Sequence, residues 1–447
     1  MIKKGSLILL VFLLVLSMAA CNSTSSSSSS SGKDGKVKIS YLTHWAAPQV
    51  EELKNAIKEY NKIEPNVEIE VRAVPFGNLL TTLTTQSSGS GAPTITSIYE
   101  LWLPQLVKDK IAAPVPTNYE SDIKANYPEG LIHAITDGGK VYGFPNEVNL
   151  YALNYNEKLF QEAGIAAPPK TWAELIDDAK KLTKKDSSGK ITQQGFGVIT
   201  SWNSGVVHPW LSLLYSNGGE LLDANHQPLL NSKQAQETTD LYKQLIFDEK
   251  TTEPSMSIAN ASTTGPYLDN FANGKTAMII MANWWQSALQ SSMGDKFSDI
   301  KTAPIPVGPS GSGSHSVSYS WLTSVNAKAD KAQQDAAWKF LKWLNSNESG
   351  KNGSSAMGDM LMGMGIVPSR NSDIEAHKDT LATPFLKPYV DELKNAKSFP
   401  IVLGGNELTT TLQQQLEQME FGKATAKETL ENAQKSLTDL MSQFYSK

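Results

Sequence analysis

Cysteine and long apolar runs are both scarce in this chain of 447 residues. Cys21 is the only cysteine, so no disulfide bond can form within the chain. The apolar run Leu7 to Leu16 has ten residues, whereas a membrane-spanning helix needs about 20. Because Lys3 and Lys4 precede this run and two small residues follow it, the pattern predicts a signal peptide over residues 1–20.

Arginine is almost as rare, and Arg72 and Arg370 are its only positions. The planar guanidinium binds phosphates and carboxylates through paired hydrogen bonds. A chain nearly without arginine is therefore poorly equipped for a strongly anionic ligand, although lysine can partly substitute for it. The formal net charge is −5, and the sequence contains no basic stripe. Nucleic acid is for that reason not an expected partner.

Signatures of common enzyme classes are missing as well. The sequence has no Gly-x-Ser-x-Gly motif, and no two of its six histidines are four residues apart, as a zinc-binding helix requires. Gly274-Lys275-Thr276 resembles the end of a phosphate-binding loop, but Asp269 stands where that motif begins with glycine. We therefore expect no enzyme, no metal and no cofactor. A glycosidase needs only two convergent carboxylates, which a sequence does not reveal, so a lipoprotein hydrolase remains an alternative.

The single cysteine stands in an informative place. Met18-Ala19-Ala20-Cys21 resembles the bacterial lipobox, in which the cysteine thiol receives a diacylglyceryl group and becomes the mature N-terminus. Two acyl chains hold a protein at a membrane where one is marginal. Residues 21–36 are rich in serine and predict a flexible tether after the lipidated cysteine. We expect a cell-membrane protein that is lipid-anchored on the extracytoplasmic, or extracellular, face.

The remainder of the sequence indicates an α/β fold with more helix than strand. Val37 to Tyr41 and Val67 to Ala73 alternate apolar and polar residues, as strands do, and Pro48 to Ile63 has helical spacing between them. Such a unit predicts two parallel strands. Further helices are expected at Thr171 to Leu182 and elsewhere, interleaved with short strands. About 410 residues follow the tether, which is too many for one core and indicates two lobes.

Tryptophan is the most informative residue type, with ten positions. Five tryptophans stand in polar, loop-like surroundings: Trp45, Trp202, Trp284, Trp285 and Trp321. Their flat apolar faces match the C–H face of a pyranose ring, and polar neighbours can bind its hydroxyl groups. Trp172, Trp338 and Trp343 lie instead on amphipathic helices, where we expect them to fill the core.

Several ordered motifs resemble one protein family. These motifs are Gly139 to Pro145, Leu150 to Asn156, Glu157 to Phe160, Pro168 to Leu175, Phe271 to Met278 with Trp284 six residues on, Ala336 to Leu341, and Val367 to Arg370. Their shared order is similar to that of the family 1 extracellular solute-binding proteins of ABC importers, a group of maltose-binding-protein-like sugar-binding lipoproteins. Together with the lipobox, the resemblance covers essentially the whole chain.

The resemblance implies a two-lobed periplasmic-binding-protein-like α/β fold with hinged lobes and an interlobe ligand cleft. Lobe one would hold residues 37–113 and 277–326, and lobe two residues 114–276 and 327–447. The protein would be a monomer that binds a sugar or oligosaccharide by lobe closure and delivers it to the permease subunits of an ABC transporter. Another neutral solute, or delivery to a sensor, is the alternative.

The resemblance also suggests which residues would meet the ligand. The expected ligand-binding residues are Trp45, Tyr99, Glu100, Asn149, Tyr151, Trp202, Trp284, Trp285 and Trp321. The family has an acidic residue in the segment after the Ser/Gly-rich loop, whereas this sequence has Tyr99 in its place and Glu100 directly after it. Which of these two contacts a ligand is open at this point.

Overall fold

The computed structural model describes residues 35–89, 91–260 and 264–445. The expected signal peptide, Cys21 and residues 22–34 of the expected tether lie outside these ranges. Within the described part of the chain, no helix combines the length and the apolar character that a membrane crossing requires.

Strands and helices alternate along most of the chain. The strands are β1 Val37–Thr43, β2 Val67–Ala73, β3 Ile95–Tyr99, β4 Thr136–Asp137, β5 Lys140–Val141, β6 Phe144–Asn156, β7 Lys184–Lys185, β8 Ile191–Gly197, β9 Thr276–Ala282, β10 Ile300–Ala303, β11 Val317–Val325, β12 Val367–Pro368 and β13 Lys397–Ser398. The helices are α1 Ala47–Ile63, α2 Phe76–Thr85, α3 Leu103–Lys108, α4 Thr117–Asn126, α5 Glu129–Ala134, α6 Glu157–Glu162, α7 Trp172–Leu182, α8 Asn203–Ser216, α9 Lys233–Lys243, α10 Pro266–Ala272, α11 Gln286–Met293, α12 Lys331–Leu344, α13 Ala356–Gly363, α14 Asn371–Ala376, α15 Lys378–Leu381, α16 Lys387–Glu392, α17 Gly405–Glu420 and α18 Ala426–Tyr445. Short 3-10 turns span Glu100–Trp102, Pro254–Ser257, Asn283–Trp285 and Gly294–Asp299, and Gln244–Asp248 is a π turn.

A mixed sheet connects the fold from one side to the other. In the described part of the chain, its strands follow the order β2-β1-β3-β11-β6-β9-β8-β7, and β10, β12 and β13 pair beside this path. The strand β1 is parallel to β2 and β3, and β8 is parallel to β9. Between these two parallel groups lie β11 and β6, which are antiparallel to each other. We call β6 and β11 the crossing strands, because they join the two groups.

The local sequence accounts for the first elements. Four buried residues of α1, namely Val50, Leu53, Ile57 and Tyr60, recur at steps of three or four and face the core, while Pro48 occupies the first turn, where a missing N–H costs nothing. Helix α7 begins with the expected capping box, in which the Thr171 hydroxyl accepts from the Glu174 backbone N–H. The parallel pairing of β1 with β2 confirms the expected strand–helix–strand unit.

Two features do not follow the expected lobe boundaries. Strand β9 was expected to open the second segment of lobe one, yet it pairs with β6 and β8, which come from the range expected for lobe two. Helix α12 was expected in lobe two, yet it packs on β1 and α1. There the Gln333 amide donates to the Lys38 carbonyl at 2.9 Å, and the Phe340 ring lies 5.0 Å from that of Tyr60. These pairings differ from the expected grouping of segments, and the lobe boundaries themselves stay a prediction.

The helix-borne tryptophans lie where amphipathic spacing places them. Trp172 and Trp338 are buried in the larger of two apolar clusters, and Trp343 is partly buried against the Tyr60 ring, with centroids 5.1 Å apart. These positions confirm the interpretation of the three side chains as core residues.

Candidate functional site

A cavity of about 320 Å³ opens where several strands end. Its lining includes His44 and Trp45 directly after β1, Tyr99 at the end of β3, and Trp284 in the turn after β9. Because open α/β sheets present their ligand sites beyond the carboxyl ends of strands, this is the expected place for one. The volume falls at the lower end of the range for small-molecule sites, about 300–1,000 Å³.

The crossing strands supply the base of the cavity. Side chains on a strand alternate between its two faces. In the antiparallel register, Tyr319 lies opposite Asn149 and Trp321 lies opposite Glu147, so these four side chains share one face. All four line the cavity.

The Trp321 indole is the centre of one aromatic wall. The His44 ring stacks on it, with centroids 4.0 Å apart and planes at 22°. The Tyr99 ring lies at 5.6 Å in a stacked arrangement, and the Phe76 ring meets the indole edge-on at 6.0 Å. Such packing holds the rings in fixed orientations, because each contact restricts its neighbours.

A second aromatic wall is built around Trp284. Its ring lies 4.1 Å from that of Trp285 and 5.9 Å from that of Trp202, the latter in an edge-to-face arrangement. The Trp284 indole N–H donates to the Tyr319 hydroxyl at 2.8 Å, which ties this wall to the crossing strands. Trp284 is partly buried, whereas Trp285 is buried.

Four lining residues carry buried polar atoms without a hydrogen-bond partner in the protein. They are His44 through Nδ1, Trp45 through Nε1, Asn149 through Oδ1 and Trp202 through Nε1. A buried polar group that stays unpaired costs about 1–3 kcal/mol, so most such groups in folded proteins have a partner. The four unpaired atoms thus belong to residues that border one and the same cavity.

The lining is close to neutral at physiological pH. Glu147 is its only carboxylate among the described residues, and neither lysine nor arginine is found there. Burial raises the pKa of Glu147 to about 8, which the neighbouring Asn149 amide opposes only in part. Burial also lowers the pKa of His44 to about 3. In the described part of the chain, no cluster of His, Cys, Asp or Glu is arranged to hold a metal ion.

Seven of the nine residues expected from the sequence lie in this lining. They are Trp45, Tyr99, Asn149, Trp202, Trp284, Trp285 and Trp321. Glu100 and Tyr151 are outside it. The Glu100 carboxylate accepts a hydrogen bond from the Ser320 hydroxyl, and Ser320 belongs to the opposite face of β11. Of the pair Tyr99 and Glu100, the tyrosine is thus the one in the cavity.

Tyr151 lies beneath the lining and supports it. The Tyr151 hydroxyl and His208 Nδ1 are 3.2 Å apart, and His208 Nε2 is 3.2 Å from the Tyr99 hydroxyl. Burial lowers the pKa of His208 to about 3, so its ring is neutral and can join one donor and one acceptor. The contact of any of the nine residues with a ligand stays a prediction.

Sequence reasoning missed twelve of the nineteen lining residues, among them His44, Phe76, Glu147 and Tyr319. Two of them carried a usable signal. Glu147 is two residues before Asn149, and Tyr319 is two residues before Trp321, so strand periodicity places each on the face of its expected partner.

Comparison with known proteins identifies relatives along most of the chain. The model for the bacterial extracellular solute-binding protein family matches residues 46–351, which is more than half of the chain. A binding protein of Brucella abortus is 29% identical over 315 residues, covering 69% of this chain and 72% of the relative. The multiple sugar-binding protein of Streptococcus mutans is 24% identical over 353 residues, covering 77% and 79% respectively.

Solved structures share the architecture. The GacH receptor of Streptomyces glaucescens superposes with a TM-score of 0.77 at 21% identity, covering 92% of this chain and 99% of the receptor. The maltose/maltodextrin-binding domain MalE from Bdellovibrio bacteriovorus, bound to maltotriose, gives a TM-score of 0.74 at 20% identity and covers 91% and 100%. The chain therefore has the mixed α/β fold of the two-lobed MalE-like binding proteins, as the sequence predicted.

Proposed function

We propose that this chain, which belongs to the family of bacterial extracellular solute-binding proteins, captures a sugar or short oligosaccharide for an ABC importer. It would bind the ligand in the aromatic cavity, close its lobes around it and deliver it to the permease. No covalent chemistry is needed for this function.

One observation carries the proposal: aromatic faces and unpaired polar atoms line the same neutral cavity. The partly exposed Trp284 indole offers a flat apolar surface, and the rings around Trp321 form an apolar wall. Asn149, Trp45 and Trp202 offer one acceptor and two donors. A pyranose has the complementary composition, with apolar C–H faces and hydroxyl groups around its rim. An anion would gain little here, since the lining lacks lysine and arginine among the described residues.

The names of two relatives support the same ligand class. Besides the protein of Streptococcus mutans, the arabinooligosaccharide-binding protein of Halalkalibacterium halodurans is 22% identical over 281 residues. These names assign sugars to the relatives and leave the particular sugar of this chain to experiment.

Lobe closure would connect binding with delivery. A ligand shifts an open–closed equilibrium only through its higher affinity for one of the two states. A sugar held between the wall around Trp321 and the wall around Trp284 contacts both in the closed state, so it would favour closure. A permease that recognises the closed form would then select loaded protein. Attachment through Cys21 would keep the binding protein close to that permease.

The proposal is tested by titrating the purified protein with a panel of sugars while its tryptophan fluorescence and Tm are recorded. At a free sugar concentration of 100 times Kd, binding stabilises the folded state by about 2.7 kcal/mol. We expect saturable fluorescence changes with at least one sugar, and recovery of that sugar intact. Trp284→Ala should weaken the binding at least tenfold, whereas Trp343→Phe, on α12 and outside the cavity, should preserve it.

Two results would contradict the proposal. Absence of a saturable response across mono- and oligosaccharides would exclude sugar capture by this cavity. Recovery of the sugar as fragments would identify a hydrolase instead. A glycosidase needs two carboxyl groups at the scissile bond, and Glu147 is the only one among the described residues of the lining.

A further inference from the structure

A second cavity of about 270 Å³ lies against the other face of the crossing strands. Val148 and Ser318 line it, and each alternates along its strand with residues of the sugar cavity, while Tyr319 borders both cavities. The remaining walls include Leu131 of α5, Ile374 of α14 and Leu393 after α16. We call this space the far-face cavity.

The Glu100 carboxyl group is the distinctive feature of the far-face cavity. Glu100 is 2% exposed and lines the cavity. One carboxyl oxygen, Oε2, accepts from the Ser320 hydroxyl, and the other, Oε1, has no hydrogen-bond partner in the protein. Burial raises the pKa of Glu100 to about 8. No other charged side chain is found among the described residues of this lining.

The surroundings of Glu100 define what would satisfy it. A buried carboxylate without a partner is costly, and an opposite charge within about 4–6 Å favours its ionised form. An ammonium group supplies that charge together with several N–H donors. The side chains of Leu131, Val148 and Ile374 would meanwhile favour an apolar body on the ligand. An anion would meet a carboxyl group and no cation, so it would be rejected.

We propose that the far-face cavity is a second ligand site, separate from the sugar cavity, for a small organic ammonium ion with a short apolar body that pairs with Glu100. Its volume corresponds to about nine water molecules at about 30 Å³ each, which suits a short alkylamine. This inference does not require that the other cavity binds sugar.

The proposal is tested with n-butylammonium as the probe and 1-butanol as its neutral counterpart, both titrated by calorimetry into sugar-free protein. Glu100→Gln keeps the shape of the side chain and an acceptor for the Ser320 hydroxyl. It should weaken butylammonium binding at least tenfold and leave the weak binding of butanol unchanged. Glu147→Gln is the matched control, because it removes a buried carboxyl group from the opposite face. Its affinity for butylammonium should equal that of the unmodified protein.

Either of two outcomes would overturn the proposal. If Glu147→Gln loses butylammonium binding and Glu100→Gln retains it, the amine binds in the sugar cavity. If the unmodified protein and both variants bind butylammonium no better than butanol, Glu100 is not a ligand-binding group.

A second variant protects the test against a failure of Glu100→Gln to fold. Gly130 lines the far-face cavity, and a Cβ atom at this position would meet nothing within 4 Å. Gly130→Phe should therefore leave the Tm nearly unchanged and add an apolar ring at the exposed border of the cavity. We expect it to weaken butylammonium binding at least threefold, and binding unchanged in both this variant and Glu100→Gln would overturn the proposal.

Discussion

The buried carboxyl group of Glu147 should make stability depend on pH in a predictable direction. Burial raises its pKa from 4.5 to about 8 in the folded state, so the folded protein holds a proton that the unfolded chain releases above pH 4.5. Stability is therefore highest below pH 4.5 with respect to this group and falls as the pH rises to 8. The slope is about 1.4 kcal/mol per pH unit, which amounts to at most about 5 kcal/mol over the whole interval.

Glu147→Gln should remove this dependence, because the amide has the same shape and does not ionise. The titratable neighbours Tyr41 and Tyr319 stay neutral throughout, since burial raises the pKa of each far above this interval. We expect the difference between the free energies of unfolding of the variant and of the unmodified protein to grow in favour of the variant. The growth should be about 1.4 kcal/mol per pH unit between pH 5 and 8. Other buried acids, such as Glu420, contribute equally to both proteins and cancel in the difference.

Urea unfolding at several pH values measures this difference directly. If unfolding is cooperative, the same effect should appear in thermal scans as a Tm difference. The Tm of the variant should rise relative to that of the unmodified protein by about 2 °C per pH unit, given an unfolding entropy of about 2.1 cal/mol/K per residue. Glu348→Gln, at an exposed position, serves as the control. Its free energy of unfolding, plotted against pH, should run parallel to that of the unmodified protein. Parallel curves for Glu147→Gln as well would show that the carboxyl group is hydrated in the folded state, and the reasoning would be wrong.

Three further substitutions separate binding, stability and attachment. Trp284→Ala should weaken sugar binding at least tenfold in fluorescence titrations and lower the Tm by only a few degrees, because this indole is partly exposed. Trp45→Ala should cost about 3–5 kcal/mol in urea unfolding, since Trp45 is 6% exposed and packs in the core, so a Tm change below 1 °C would be unexpected. Cys21→Ser should release the protein from membranes in fractionation experiments and leave sugar affinity unchanged, whereas retention would contradict the lipid anchor.

Local sequence patterns predicted the elements well because their causes are local. Alternation over Val67 to Ala73 matches β2, and the spacing of buried residues in α1 is that of a helix with one apolar face. The lobe boundaries stay a prediction, because strand pairing is not local. Nothing in the composition of Thr276 to Ala282 shows that this strand pairs with β8, a segment some 80 residues earlier in the chain.

The lining of the cavity was predictable in its tryptophans and less so in its polar residues, and their contact with a ligand stays a prediction. Loop-borne indoles stand out in a sequence, whereas Glu147 is one of 45 acidic residues, and only its place on β6 brings it into the cavity. Tyr151 illustrates the opposite error. It lies on the same face of β6 as Asn149. The rings of Tyr319 and His208 nevertheless cover it, with centroids 6.3 Å and 5.4 Å from that of Tyr151. Periodicity predicts a face, and tertiary packing decides which residues of that face remain accessible.

Both cavities are bordered by the crossing strands, so binding in one can affect binding in the other. The far-face lining extends from Glu100, next to β3, to Leu393, next to the helix α16 that packs on β10. It thus reaches both sides of β6 and β11, as the sugar cavity does. We expect that a movement closing one face around these strands widens the other. If both proposed sites exist, an ammonium ion bound at Glu100 should favour the open form and weaken sugar binding.

This coupling carries an internal check. The factor by which sugar raises the Kd of butylammonium must equal the factor by which butylammonium raises the Kd of sugar. Couplings of this kind are typically about 5- to 150-fold. Both titrations can be performed on the same protein, each with and without a saturating concentration of the other ligand. Unequal factors would mean that the two ligands share a site or act on the protein non-specifically, and two factors of one would show that the crossing strands do not connect the cavities.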